Sequence, residues 1–219
     1  MSLREREEIQ EMSWGGCMNL KETYNKIAED WYKDHLDEWW VPGADKFLSF
    51  LNKGDRILDA GCGPGIKSGF FVDRGFRAHG VDFSESMIKI AKRDFPQAEF
   101  SVLDLNEAEK LKDMYNAIFL QAVLLHFSKY RAQEILKKLA TKLKSGGFFH
   151  VSVKEVGENQ PEEQVRVEND YGYEYERFFS YYTTEEIEGY LRNLGFDIVH
   201  TDMTSWGKTN WIQVIGMKK

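Results

Sequence analysis

One stretch constrains the fold more than any other. Residues 56–60, Arg-Ile-Leu-Asp-Ala, form a short apolar run that passes directly into Gly61-Cys62-Gly63-Pro64-Gly65. An apolar segment, 66–74, follows and is stopped by Gly75. This pattern predicts a buried strand, a tight glycine turn and a helix. Glycine has no Cβ, so the chain can turn sharply and a ligand can lie against bare backbone. The helix N-terminus beyond the turn offers unpaired N–H groups. In an open parallel sheet, ligands bind at the carboxyl ends of the strands, which is where such a turn lies.

The rest of the chain repeats the alternation. Strands are expected at 77–82, 99–103, 117–122 and 148–153. Helices are expected from the Ser84 cap to Arg93, over 130–144 (closed by Gly146-Gly147), and from Thr183 or Thr184 to Asn193. Runs at 196–201 and 211–217 read as a closing antiparallel hairpin. The expected class is α/β: a doubly wound, seven-stranded, mostly parallel sheet with an antiparallel last strand. Ahead of it, Tyr24, Ile27, Ala28, Trp31 and Tyr32 recur at helical spacing. Trp39-Trp40-Val41-Pro42-Gly43 breaks that helix, and a second one is expected over 44–51. The organisation is a polar arm (1–20) and a single domain (21–219) with a helical cap (21–52) and an insertion after the fifth strand (155–182).

Which ligand suits the turn? The dinucleotide fingerprint G-x-G-x-x-G places a pyrophosphate on the helix N-terminus. Here the spacing is G-x-G-x-G, and Ile66 stands in place of the third glycine. Asp59 would oppose a pyrophosphate but suits an ammonium group. Asp82, ending the second strand, is placed to accept from ribose hydroxyls. Asp104, ending the third, is placed to accept from an exocyclic amine. A ligand with an amino-acid end, a ribose and a purine would use all three.

These segments resemble the class I S-adenosylmethionine-dependent methyltransferases. Asp59-Ala-Gly61-Cys-Gly63-Pro-Gly65 is similar to their first motif and Gly80-Val-Asp82-Phe-Ser84-Glu-Ser-Met87 to the second. Asp104-Leu105 resembles the third, 116–126 (with Gln121, Ala122 and His126) the fourth, and Leu143-Lys-Ser-Gly146-Gly147 the turn before the fifth strand. Residues 24–32 resemble the helix that folds over the cofactor in small-molecule members. The resemblance implies that S-adenosylmethionine is the cofactor and S-adenosylhomocysteine the product. It implies that Asp59, Gly61, Gly63 and Gly65 cradle the methionine part, with Asp82 on the ribose and Phe83 and Met87 flanking the adenine. Asp104 and Leu105 would read the adenine, Gln121 and Ala122 would line the sulfonium, and Tyr24 and Trp31 would cover the cofactor. The Asn/Asp-Pro-Pro-Tyr/Phe sequence of amino-directed DNA and protein-glutamine members is missing here.

The expected activity is methyl transfer to a small-molecule acceptor. The alternatives are a protein or nucleic-acid methyltransferase, or a non-catalytic binder of the cofactor. His126 reads either as a general base, because imidazole titrates near neutral pH, or as a packed histidine. Cys62 reads as a small residue filling the loop. No metal is expected, since Cys17 and Cys62 are the only cysteines and supply no four-cysteine site.

Charge adds one expectation. The chain has 36 acids and 29 bases, a net of −7. The segment 155–176 holds eight acids and one base, Arg166, so the whole excess lies there. The segment also begins an aromatic run that includes Tyr171, Tyr173, Tyr175 and Tyr182. Tyr171-x-Tyr173-x-Tyr175 alternates like a strand. Tyr173, Tyr175 and Tyr182, with Tyr32 from the cap, are candidates for an acceptor wall, against the alternative of packing on the body. If the acids lined the pocket, a basic or neutral acceptor would follow, by charge and by cation–π attraction. Nucleic acid is not an expected partner, because polyanions need clustered bases. No apolar stretch reaches the roughly 18–20 residues of a membrane span, and no apolar leader follows Met1, so a cytoplasmic protein is expected. The oligomeric state is left open.

Overall fold

In the computed structural model, residues 20–36 and 40–219 are described. Residues 1–19 of the expected polar arm, and Trp39, lie outside them. Two helices come first, α1 (Leu20–Asp34) and α2 (Val41–Leu48). Then β1 (Arg56–Ala60), α3 (Ile66–Asp73), β2 (Arg77–Asp82), α4 (Glu85–Asp94), β3 (Glu99–Val102) and β4 (Tyr115–Gln121) follow. The second half holds α5 (Lys129–Ala140), β5 (Leu143–Lys154), β6 (Glu163–Glu168), β7 (Tyr175–Ser180), α6 (Thr184–Asn193), β8 (Phe196–Trp206) and β9 (Thr209–Lys218).

Seven strands form one sheet in the order β3-β2-β1-β4-β5-β9-β8. The pairs among β3, β2, β1, β4 and β5 are parallel, and β9 runs antiparallel to both neighbours. The central strands bury both faces, as a sheet covered by helices on both sides must. One side packs Leu58, Ile118, Leu120, Phe149 and Val151 on Ile135, Leu136 and Leu139 of α5 and on Ile187 and Leu191 of α6. The other packs Ile57, Ala117 and Phe119 against Phe47 of α2 and Phe71 of α3. Strand order reverses between β1 and β4, so a crevice opens at their carboxyl ends.

Several boundaries differ from expectation: β8 runs on to Trp206 and β9 starts at Thr209, and three others have identifiable causes. Helix α2 begins at Val41 rather than Ala44, with Pro42 in its first turn. There the missing N–H costs nothing, so a proline that reads as a breaker becomes a starter. Helix α5 stops at Ala140, because Leu143 is already in β5 beside Tyr115. Gly146 and Gly147 thus lie inside β5, where the register with β4 shifts between Tyr115 and Ala117. A Cβ at Gly147 would stand 2.7 Å from the Asn116 carbonyl oxygen. The insertion is a separate two-stranded ribbon, β6 on β7. Tyr171 and Tyr173 sit in its turn and not in a strand; the strand starts at Tyr175. Among the described residues no helix is long and apolar enough to cross a membrane.

Candidate active site

A cavity of about 560 Å³ occupies the crevice, in the range of small-molecule sites. Its floor is the turn after β1. Gly61 and Gly63 adopt left-handed backbone, φ +73° and +53°. The Gly61 and Cys62 N–H groups donate to the Val81 carbonyl at 2.8 and 2.9 Å, tying the turn to β2. A Cβ on Gly61 would lie 2.4 Å from Val123 Cγ2. Cys62 is 5% exposed, and burial pushes its thiol well up, so it is no nucleophile at neutral pH.

Asp82 ends β2 and faces this floor. Its Oδ2 accepts from the Gly63 N–H at 3.0 Å and its Oδ1 from the Ser84 N–H at 2.9 Å. Burial pushes its carboxyl up to about 6, against the pull of those N–H groups. Phe83 and Met87 line the same wall. Asp104, beyond β3, lies at the cavity with Leu105; its Oδ1 accepts from the Asn106 N–H at 2.8 Å. Gln121 and Ala122 line the end of β4, and Ala122 holds φ +59°, a strained conformation for a residue with a Cβ. From α1, Tyr24 and Trp31 close the cavity, Trp31 stacked on His35 at 3.8 Å between centroids.

Several candidates lie elsewhere. Asp59 is 2% exposed and lies behind the turn, where its Oδ2 accepts from Ser68 Oγ at 2.7 Å. Burial pushes its carboxyl up to about 6. Gly65 caps α3 at φ +85°, and a Cβ there would meet Ala91 and Phe100 at 2.8 Å, not a ligand. Of the tyrosines, none of Tyr32, Tyr173, Tyr175 or Tyr182 lines the cavity. Tyr32 packs on the Met87 and Ile90 face of α4. Tyr171 and Tyr175 stack 5.8 Å apart, Tyr175 Oη donates to Asp170 Oδ2 at 2.8 Å, and Tyr173 lies under the Lys26 ammonium. Tyr182 is fully buried in the main core, its hydroxyl 2.9 Å from Ser180 Oγ.

His126 lines the cavity but is fully engaged. Its Nδ1 lies 2.9 Å from the Phe178 carbonyl, which can only accept, so Nδ1 carries the proton. Nε2 then accepts from the Tyr24 hydroxyl at 2.8 Å. Burial, with Arg177 nearby, drags the imidazole down to about 3. It is neutral at physiological pH, with both ring nitrogens already engaged. Of the two readings of His126, general base or packed histidine, these contacts fit the packed one, a support that orients Tyr24.

The acids of the insertion are not in the cavity either. The ribbon contributes Arg177 and Phe179, and the end of β5 contributes Lys154. Arg177 Nη2 meets Glu168 Oε1 at 2.8 Å, and its Nη1 lies 3.4 Å from the Tyr24 hydroxyl. Lys67, in the first turn of α3, also lines the wall, over Trp40. Sequence reading missed these cations. The strand-end rule that singles out Asp82 and Asp104 also applies to Lys154, one residue past the expected end of its strand. Away from the cavity, His79, Glu99 and Asp113 have ligand-type atoms within 4.8 Å of one another. Arg56 bridges both acids at 2.7 and 3.0 Å, and the His79 nitrogens face Tyr115 Oη and Ser101 Oγ. That arrangement is an ion-pair network.

A family model described as a methyltransferase domain matches residues 32–201. The chain belongs to that family. Ubiquinone biosynthesis O-methyltransferase of Coxiella burnetii is 30% identical over 138 residues, covering 54% of this chain and 58% of that one. This methyltransferase chain thus spans just over half the length of that relative. Among solved structures, the 1,6-didemethyltoxoflavin N1-methyltransferase of Burkholderia thailandensis, with its acceptor and S-adenosylhomocysteine bound, shares the fold. Its TM-score is 0.71 at 18% identity, covering 91% of this chain and 87% of that one. The magnesium protoporphyrin IX methyltransferase of Synechocystis, solved with S-adenosylmethionine, has a TM-score of 0.59 at 22% identity, over 93% and 86%.

Proposed function

We propose that this protein transfers the methyl group of S-adenosylmethionine to a small-molecule acceptor. The observation that carries the reading is Asp82: a buried strand-end carboxylate, fixed by two backbone N–H groups, facing a left-handed glycine turn. It fits a vicinal diol, because a carboxylate accepts from two hydroxyls at once. The rest of the cavity fits the other parts. Asp104 suits an exocyclic amine, with Leu105, Phe83 and Met87 as apolar faces for a purine. Lys67, beside the turn, suits the methionine carboxylate.

The cofactor supplies a methyl group already activated on a sulfonium. The protein's share is to orient the acceptor and to exclude water. Helix α1 does the second, with Tyr24 and Trp31 over the cavity. His126 keeps the Tyr24 ring in place from below, and Arg177 from the ribbon side. Asp59 acts through the turn it underlies, not by contact.

The test combines calorimetry and turnover. S-adenosylhomocysteine should bind the intact protein, and Asp82→Ala should weaken it about a hundredfold, the worth of two hydrogen bonds to a charged group. Unchanged affinity in a folded variant refutes the assignment. Screening phenols, carboxylic acids and amines for S-adenosylhomocysteine release then identifies the acceptor.

A further inference from the structure

We propose that the acceptor is a planar molecule carrying a carboxylate, and that Lys154 is the residue that holds it. The inference rests on the methyltransferase reading and adds the substrate class. Lys154 ends β5, partly buried, at the side of the cavity away from Asp82 and Asp104. Its ammonium lies 4.7 Å from the centroid of the Phe179 ring and 5.6 Å from that of Trp211. Among the described residues it makes no hydrogen bond and no ion pair. The one acid within its electrostatic reach, Glu168, is already engaged by Arg177. Its other charged neighbours, Arg166 and Arg177, repel it.

The two rings offset part of the cost of half-burying this cation, and no counter-ion offsets the rest. The cost is removed when a ligand brings the anion. Burial and the two arginines draw the Lys154 ammonium down to about 8, so it is still mostly charged at neutral pH. A lone ammonium matches a singly charged carboxylate; the forked guanidinium that would favour a phosphate is occupied by Glu168. The Phe179 and Trp211 rings that carry the ammonium, together with Phe127 elsewhere on the lining, make this part of the cavity aromatic and suited to a flat ring.

The experiment compares three probes of one shape on protein saturated with S-adenosylhomocysteine: 4-hydroxybenzoate, 4-hydroxybenzamide and 4-hydroxybenzylamine. Calorimetry at pH 7 should find the acid about tenfold tighter than the amide, as for a desolvated charge pair, with the amine weakest. Lys154→Met and Lys154→Gln should reduce the difference to under about threefold while still binding S-adenosylhomocysteine. Equal affinity for acid and amide, a preference for the amine, or no binding by any of the three overturns the proposal. So does an acid preference that both variants retain. The same cell tests the underlying reading separately: failure to bind S-adenosylhomocysteine at all refutes the cofactor assignment and not merely the acceptor class.

Discussion

Lowering the pH should weaken cofactor binding while, through the same groups, favouring the free fold. Asp82 titrates at about 6 in the free protein, since burial outweighs its two N–H partners. Only the ionised carboxylate accepts from both ribose hydroxyls. Affinity for S-adenosylhomocysteine should therefore be level above pH 7 and fall about tenfold by pH 5, one decade per unit below the pKa. Asp59 also titrates at about 6, behind the turn. If its charge matters to the ligand as well, the fall approaches a hundredfold. Asp82→Asn separates the two, because only the Asp59 share of the slope survives. The stability sign is opposite. Both carboxyls are raised from 3.8, so their contribution to the fold is full below that value and is lost as pH rises through 6. Each ionised carboxyl costs the free protein about 3 kcal/mol at neutral pH. Calorimetric titration at half-unit steps, with a melting curve of the free protein at each pH, makes the check. An affinity that stays constant from pH 7.5 to 5 refutes the role given to Asp82.

Three substitutions test the placement of other residues. Gly61→Ala forces a Cβ into left-handed backbone 2.4 Å from Val123 Cγ2 and should destabilise the protein by about 2–4 kcal/mol. Denaturant unfolding reads the loss, and Val123→Ala in the same chain should restore part of it; an unchanged midpoint would show that the turn is looser than described. Tyr182→Phe removes a core hydroxyl bonded to Ser180 and should cost about 1 kcal/mol with no change in KM for the acceptor. Tyr24→Phe, which cuts the link to His126, should alter turnover with little loss of stability. If Tyr182→Phe altered KM and Tyr24→Phe did not, the separation of core from site made above would fail.

The order of elements in the main sheet was legible because apolar periodicity changes at turns such as Gly61, Gly75 and Gly195; the β6-β7 ribbon was not. The rule that ligands meet strand ends located Asp82 and Asp104, and a chain position at the end of a strand is a feature any sequence displays. Asp59 shows where the rule stops. In a strand buried on both faces, alternation does not say which side chain reaches the cavity, and its carboxylate turned under α3 to Ser68. Pro42 and Gly146-Gly147 failed for a related reason. Each is a breaker by composition, yet Pro42 falls in a first helical turn and the two glycines fall where β5 changes register.

The acidic insertion left two readings open, an acceptor wall or packing on the body, and its acids lie off the cavity. Its excess charge suggested a pocket for cations, but a strand shows alternate residues to opposite sides, and a shift of one residue exchanges the faces. In β7 the parity turns Arg177 and Phe179 to the cavity and leaves Glu176 off it. Glu168 is brought over by the pairing of β6, where it stands opposite Tyr175, and it holds Arg177 instead of facing a ligand. Of the insertion's acids, Glu168 keeps Arg177 fixed and Glu162 pairs with Lys129, while the neighbouring Lys154 has no acid of its own, which is the basis for proposing it as the acceptor's partner. Net charge over a segment thus carries little information about a site until strand parity is known: in β7 parity sends a cation, not an acid, to the cavity.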